Sequence, residues 1–196
     1  MDDYRVTPRS AKEIEATTLA WRDALGISHD WAPDVVRLLE VRVPKLVKQF
    51  ALVVRPDEEM ADIEAYTEFD PPHIAVRDSV YYLARKRDGR CRMTFAHELG
   101  HLVMHPGIAK LRTESAARTV KDIRFFESAE WQAKKFASLF LMPEHIVVEF
   151  GNAHQIAECC QVSTQAALIR FNEIKHLRAA KPLATCVQET INDLTE

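Results

Sequence analysis

Apolar residues recur at helical spacing from the start of the chain. Ile14, Thr18, Trp21 and Leu25 fall on one face, behind an S-x-x-E capping box at Ser10 and Glu13, and Gly26 ends the run. A second helix is predicted over DWAPDVVRLLE, with Asp30 as its cap and Pro33 in its first turn; Pro44 interrupts the stretch after it. The period then changes. ALVV (51–54) is a short apolar run, DIEAYTEF (62–69) alternates, and HIAV (73–76) comes after two prolines. Together they predict a sheet of three strands. RDG (87–89) reads as a turn into another helix. Residues 106–124 show no clean period and read as a loop or cover. Helical spacing returns from Ser128 to Leu141 and stops before Pro143, and 144–176 read as two or three short helices. The last residues are expected to fray.

The helix after the turn has an unusual distribution of polar positions. On a wheel of about 100° per residue, Thr94, His97, Glu98, His101 and His105 fall in one sector of roughly 100°. Met93, Phe95, Ala96, Leu99, Gly100, Leu102, Val103 and Met104 fill the rest. This is a buried helix with one polar stripe, and the stripe contains no Lys, Arg, Gln or Ser, as a solvated face would. Gly100 lies on the apolar side, where it lets another element approach closely. Arg92 is the one polar residue pointing the wrong way.

Composition narrows the class. The chain has 196 residues, 47% hydrophobic and 28% charged, with a formal net charge of −3. That is an ordinary globular make-up with no basic excess to attract nucleic acid or an anionic membrane. MDDYRVTPRS is acidic and polar, unlike a secretory signal, and no apolar run is long enough to span a bilayer. Cys91, Cys159, Cys160 and Cys186 form no C-x-x-C pair and read as reduced thiols, consistent with a cytoplasmic protein.

The polar stripe carries H-E-x-x-H. Its two imidazoles are separated by about 6 Å of rise and roughly 40° of rotation, so both reach one metal ion. Glu98 projects beside that ion, where it can take a proton from water. Nitrogen donors in an open tetrahedral site suit Zn²⁺. The competing reading is a core helix whose histidines are satisfied by backbone or carboxylates. A zinc site needs a third protein ligand. His105 lies about 12 Å along the axis from His97, too far to share its ion; it reads instead as a hydrogen-bond partner for a ligand or as a histidine favoured at a helix C-terminus. Downstream, Ala129, Ala133, Phe136, Ala137 and Phe140 define a buried stripe. Glu130 sits at its edge, and Glu127 lies on the wet side. Glu130 is therefore the expected third ligand, against the alternative of a surface acid paired with Lys134 at i+4. Tyr66, Tyr81, Tyr82 and His105 are candidates to stabilise an oxyanion.

AHELGH (96–101), followed by Glu130, Ala133, Phe136 and Ala137 in E-x-x-A-x-x-F-A and by FLMP (140–143), resembles the ImmA/IrrE family of metallo-endopeptidases. The resemblance runs from about residue 73 to 175. It implies zinc held by His97, His101 and Glu130, with Glu98 as the base. It also implies an α+β, zincin-like fold: a small β-sheet packed on helices, H-E-x-x-H on a buried helix, and a helical C-terminal tail. The expected organisation is an N-terminal helical segment (1–50), a catalytic core (51–150) and a tail (151–196), in one compact unit. The resemblance further implies cleavage of a helix-turn-helix transcriptional repressor. The N-terminal 50 residues carry no motif of the family. HQIAECCQVSTQAALIRFNEI (154–174) has a helix-turn-helix pattern of its own, with Gln161 where a turn glycine usually stands. Its second helix bears few basic residues (Arg170, then Lys175, His176 and Arg178), so packing or repressor docking is expected there rather than DNA binding. The rival reading is a non-catalytic, metal-stabilised regulator or toxin–antitoxin component that acts by binding.

Overall fold

A computed structural model of the chain describes residues 3–106 and 123–193, with side chains up to Arg178. The segment expected to be a loop or cover falls almost wholly outside the described residues, as do the last three positions and the side chain of Cys186. Helix α1 (Ala11–Ala24) starts at the Ser10–Glu13 capping box, and Gly26, in the left-handed region at φ +64°, turns the chain away. The next helix begins later than its sequence suggests. Asp34, rather than Asp30, caps it by accepting from Arg37 N–H, while Asp30 accepts from Ala32 N–H in the preceding turn. It runs as α2 (Val35–Arg37), a π-helical turn (Leu38–Arg42) and α3 (Val43–Leu46). The wider turn lies just before Pro44, which has no N–H to offer the ladder.

Strands β1 (Ala51–Arg55), β2 (Ala65–Phe69) and β3 (Pro72–Arg77) form the sheet, in the order β1-β3-β2. A short helix α4 (Asp57–Met60) separates the first two. β3 is central, parallel to β1 and antiparallel to β2, and its Ile74, Ala75 and Val76 are fully buried. β2 is left as an edge strand. Along it, Ala65 and Thr67 point inward.

Helix α5 (Asp78–Arg85) leads to α6 (Gly89–Met104), whose cap Asp88 accepts from Cys91 N–H. After the undescribed segment, α7 (Ala129–Leu141) packs across α6, capped by Ser128. The crossing is at Gly100: a Cβ there would lie 3.1 Å from the Ala133 carbonyl oxygen and 3.2 Å from Ala133 Cα. Phe95, Leu99, Phe136 and Phe140 fill the space around it, all buried. Truncating one such phenylalanine to alanine costs about 3–5 kcal/mol.

The tail contains α8 (Glu144–Val147), α9 (Ala153–Cys160) and α10 (Thr164–Asp193). The last is longer than the short helices expected, and no glycine or proline interrupts residues 164–181. Gln161 takes the left-handed conformation (φ 54°, ψ 55°) that a turn glycine would adopt, and so closes the helix–turn–helix pair. Arg170 is not available on the surface of that pair. It is buried and donates from Nε to the Met142 carbonyl.

Arg92, out of place on the wheel, is explained in the same way. Its guanidinium donates to the carbonyls of Gln161, Pro33 and Cys160, satisfying the C-terminal end of α9. Arg22 likewise donates to the carbonyls of Phe140, Ile27 and Asp30. Buried arginines thus take up helix-end carbonyls that would otherwise have no partner. Among the described cysteines, Cys91, Cys159 and Cys160 are all free.

Before α1, residues 3–9 run as an arm along the approach to α7. Val6 N–H donates to the Glu127 carbonyl, Arg9 N–H to Phe126, and Ala129 N–H to Tyr4.

Candidate metal centre

His97 and His101 project from the middle of α6, one turn apart. Their Nε2 atoms face each other at 3.0 Å, with the rings nearly perpendicular. Glu130, the second residue of α7, faces both. Its Oε2 lies 3.4 Å from His97 Nε2, and its Oε1 lies 3.3 Å from His101 Nε2. Glu130 therefore turns toward the histidines and not toward Lys134. Glu127 points elsewhere, to Arg5.

These separations suit a shared ion. Donors in a tetrahedral zinc site, with bonds of about 2.0–2.1 Å, lie roughly 3.3–3.4 Å from one another. One donor atom from each of the three residues falls within 4.8 Å of the others, and no other such cluster exists among the described residues. Glu130 Oε1 is buried and accepts no hydrogen bond, although the His101 nitrogen is close. Burial raises the Glu130 pKa, but the adjoining His101 and His97 rings outweigh it and hold the carboxyl well below its usual range. The group is an anion, as a metal ligand must be.

The backbone places Glu130 where the arm meets α7. Asp3 accepts from Glu130 N–H (3.2 Å) and from the Ser128 hydroxyl (2.6 Å), and Ser128 in turn accepts from Trp131 N–H. Position 130 is thereby fixed from both sides of the helix start.

Glu98 lies on the same stripe and is buried. The Thr67 hydroxyl, pointing inward from β2, sits 2.7 Å from Glu98 Oε2 and 3.0 Å from the Glu98 carbonyl oxygen. His97, Glu98 and Glu130 line one open cleft of about 710 Å³, walled by Ala65 on β2 and by Ser163 at the start of α10. On the other side of His97 is a smaller recess of about 270 Å³, lined largely by apolar groups from Met93, Trp131, Ala137, Ala166 and Ile169. The arrangement can hold a cation, keep a carboxylate beside it, and admit an extended chain from solvent.

Behind the cluster, His101 Nδ1 lies 3.1 Å from His105 Nδ1, and His105 Nε2 lies 3.2 Å from Gln132 Oε1. Burial, helped by the adjacent His101, lowers the His105 pKa to about 4, so the ring is neutral near pH 7. The other suggested oxyanion donors lie apart from the cluster's contacts. Tyr81 donates to Glu40, Tyr82 is exposed beside Lys86, and Tyr66 packs edge-on against His73.

Thr67, Gln132 and Asp3 escaped the sequence reading. The first two carry a signal in retrospect, since each is a polar residue on an inward-facing position, of a strand and of the α7 stripe respectively. Asp3 carries none.

Comparison with known proteins supplies a family for the chain. Residues 49–172, well over half of the chain, match the family model described as Peptidase M78, IrrE N-terminal-like domain. No curated protein matches the chain. A solved structure titled Mycobacterium tuberculosis transcriptional regulator is similar in fold, with a TM-score of 0.54 and 13% identity. The match covers 80% of this chain and 45% of that one, so the chain spans less than half the length of that structure.

Proposed function

Because the chain belongs to the IrrE N-terminal-like (M78) peptidase family, we propose that it is a zinc-dependent endopeptidase of the cytoplasm and that its substrate is a helix-turn-helix transcriptional repressor. The observation that carries this reading is the convergence of His97, His101 and Glu130 within reach of one ion. No helix among the described residues is long and apolar enough to cross a membrane.

His97 and His101 would hold the ion through Nε2, and Glu130 through its carboxylate. A bound zinc ion supplies Lewis acidity, polarising a carbonyl and lowering the pKa of water to about 7. The protein's own part in amide hydrolysis falls to Glu98. Thr67 holds its Oε2, so Oε1 is the atom that takes a proton from the attacking water. As oxygen adds to the scissile carbon, Glu98 returns that proton to the departing nitrogen, and the C–N bond breaks to give a carboxylate and an amine. The cleft between β2 and α7 receives the substrate backbone, and the apolar recess beside His97 takes an apolar side chain. The repressor substrate rests on the family resemblance of the motif blocks, and DNA is not part of the proposed activity.

The test compares zinc-loaded wild type with Glu98→Gln against a helix-turn-helix repressor from the same genome, followed by gel and by metal analysis. Wild type is expected to cut it, and the variant to keep its metal and leave it whole. A repressor that survives loaded wild type, or a variant that cuts as fast, overturns the reading.

A further inference from the structure

We propose that Lys134 is a specificity-determining residue: it receives an acidic side chain of the substrate, within two residues of the apolar one that enters the recess beside His97. The inference deepens the peptidase reading above and rests on it. It begins with an ion pair that the sequence provides for and the structure does not make. Glu130 stands four residues before Lys134, the order that favours pairing along a helix. Both Glu130 oxygens instead face the imidazoles of His97 and His101. Lys135, next in the chain, is taken by Glu173 at 2.9 Å, and Glu173 also meets Arg170. Lys134 itself is exposed and, among the described residues, enters no hydrogen bond or ion pair. Its ammonium is a charge without a partner in the fold.

Its place makes that charge useful. Met93, His97 and Lys134 are the residues that line both the cleft and the apolar recess, and so they mark the neck between the two spaces. A substrate that lies in the cleft and sends a side chain into the recess must pass Lys134. An extended chain rises about 3.3 Å per residue, so side chains within two positions of the apolar one lie within roughly 7 Å of it along the chain, inside the sweep of a flexible four-carbon stem. The other charges of the cleft are mostly committed. Glu64 accepts from the Thr94 hydroxyl (3.1 Å) and pairs with Arg90, and Glu98 is held by Thr67. Asp62, exposed just ahead of β2, is the exception. The wall formed by α7 is therefore positive and the one ahead of β2 negative. An acidic side chain at the neck is attracted, and a basic one there is repelled.

The test uses dye-labelled decapeptides with one central leucine in an Ala/Ser background. Asp, Asn or Lys is placed in turn at each of the two positions on either side of the leucine. Binding is followed by fluorescence anisotropy to zinc-loaded Glu98→Gln, alone and combined with Lys134→Met or Lys134→Glu. At one position at least, Asp is expected to bind roughly three- to tenfold more tightly than Lys, the range of an exposed attraction set against an exposed repulsion. Lys134→Met should level the two, and Lys134→Glu should reverse their order. Raising NaCl to about 0.5 M should erase the preference, because it is a screened charge effect and not one of shape. Binding that ignores charge at all four positions, or is absent, overturns the proposal, as does a preference that survives in Lys134→Glu or in high salt. Should Lys134→Glu fail to fold by circular dichroism, Lys134→Met and the salt dependence decide. If zinc-loaded wild type cuts neither these peptides nor a repressor, the proposed function falls, and the binding order still decides the role of Lys134.

Discussion

Thr67 on the edge strand and Glu98 on the central helix, both buried, meet at 2.7 Å, hydroxyl to carboxylate. The contact joins the sheet to the helix that bears both histidines. It also holds the carboxylate in one rotamer. Thr67→Val keeps the shape and removes the donor. A hydrogen bond to a charged group is worth about 1.5–3 kcal/mol, so kcat should fall at least about tenfold. Zinc affinity should stay near that of wild type, because Thr67 touches no ligand. Kinetics on a cleaved substrate beside a metal titration separate the two effects.

His105 gives the metal-free protein a distinct pH dependence. Its folded pKa lies at about 4, below the ordinary 6.5, because burial disfavours the charged ring. Between those values the unfolded chain binds a proton that the folded chain refuses. The contribution is therefore fully present above pH 6.5 and is lost as pH falls toward 4. The shift corresponds to about 3 kcal/mol at most. Urea titrations in chelator at pH 7, 5.5 and 4.5 should show the decline, and His105→Phe should flatten it over that window.

Gly100→Ala tests the crossing of the two helices that carry His97, His101 and Glu130. The new Cβ would meet the Ala133 backbone at 3.1–3.2 Å, and backbone inside a helix yields little. Overpacking of this kind costs about 1–3 kcal/mol, against a helix-propensity gain of up to about 1 kcal/mol. The net loss should lower Tm by a few degrees. Zinc binding should weaken as well, since α7 carries Glu130. A variant as stable as wild type, with unchanged affinity, would show that the helices are not in tight contact there.

The recess beside His97 makes a prediction about sequence preference. Ala166 and Ala137 leave room there, with Met93, Trp131 and Ile169 around them. Ala166→Phe should fill the space and raise KM for substrates with a large apolar side chain at the matching position. Substrates with alanine there should be affected far less. A peptide library profiled with both proteins reads this directly.

Much of the fold and the site was legible because it depends on short-range spacing. The capping box at Ser10, the three strand runs and the H-E-x-x-H stripe each occupy a few consecutive turns or pleats. Glu130 was legible from the edge of a buried face. The misplaced helix start had two aspartates to choose from, and the proline at 33 decided it, since the residue before a proline resists helical geometry. Arg92 and Arg170 were misleading because their partners are carbonyl oxygens, which every residue carries and no sequence marks. Thr67 and Gln132 went unnoticed: each is a polar residue at an inward-facing position, but their partners lie 31 and 27 residues away. The bonds from Asp3 span more than 120 positions, beyond any local pattern.

That longest-range contact bears on how the protein can be handled. The family match begins at residue 49, yet Asp3, Tyr4, Val6 and Arg9 brace the turn before Glu130. A fragment trimmed to the matched stretch would retain both imidazoles and the base while leaving the third donor on an unsupported helix end. Recombinant versions shortened at the front, or cleaved there by a contaminating protease, should thus lose zinc before they lose their fold, and the hallmark motif would be intact in an inert polypeptide.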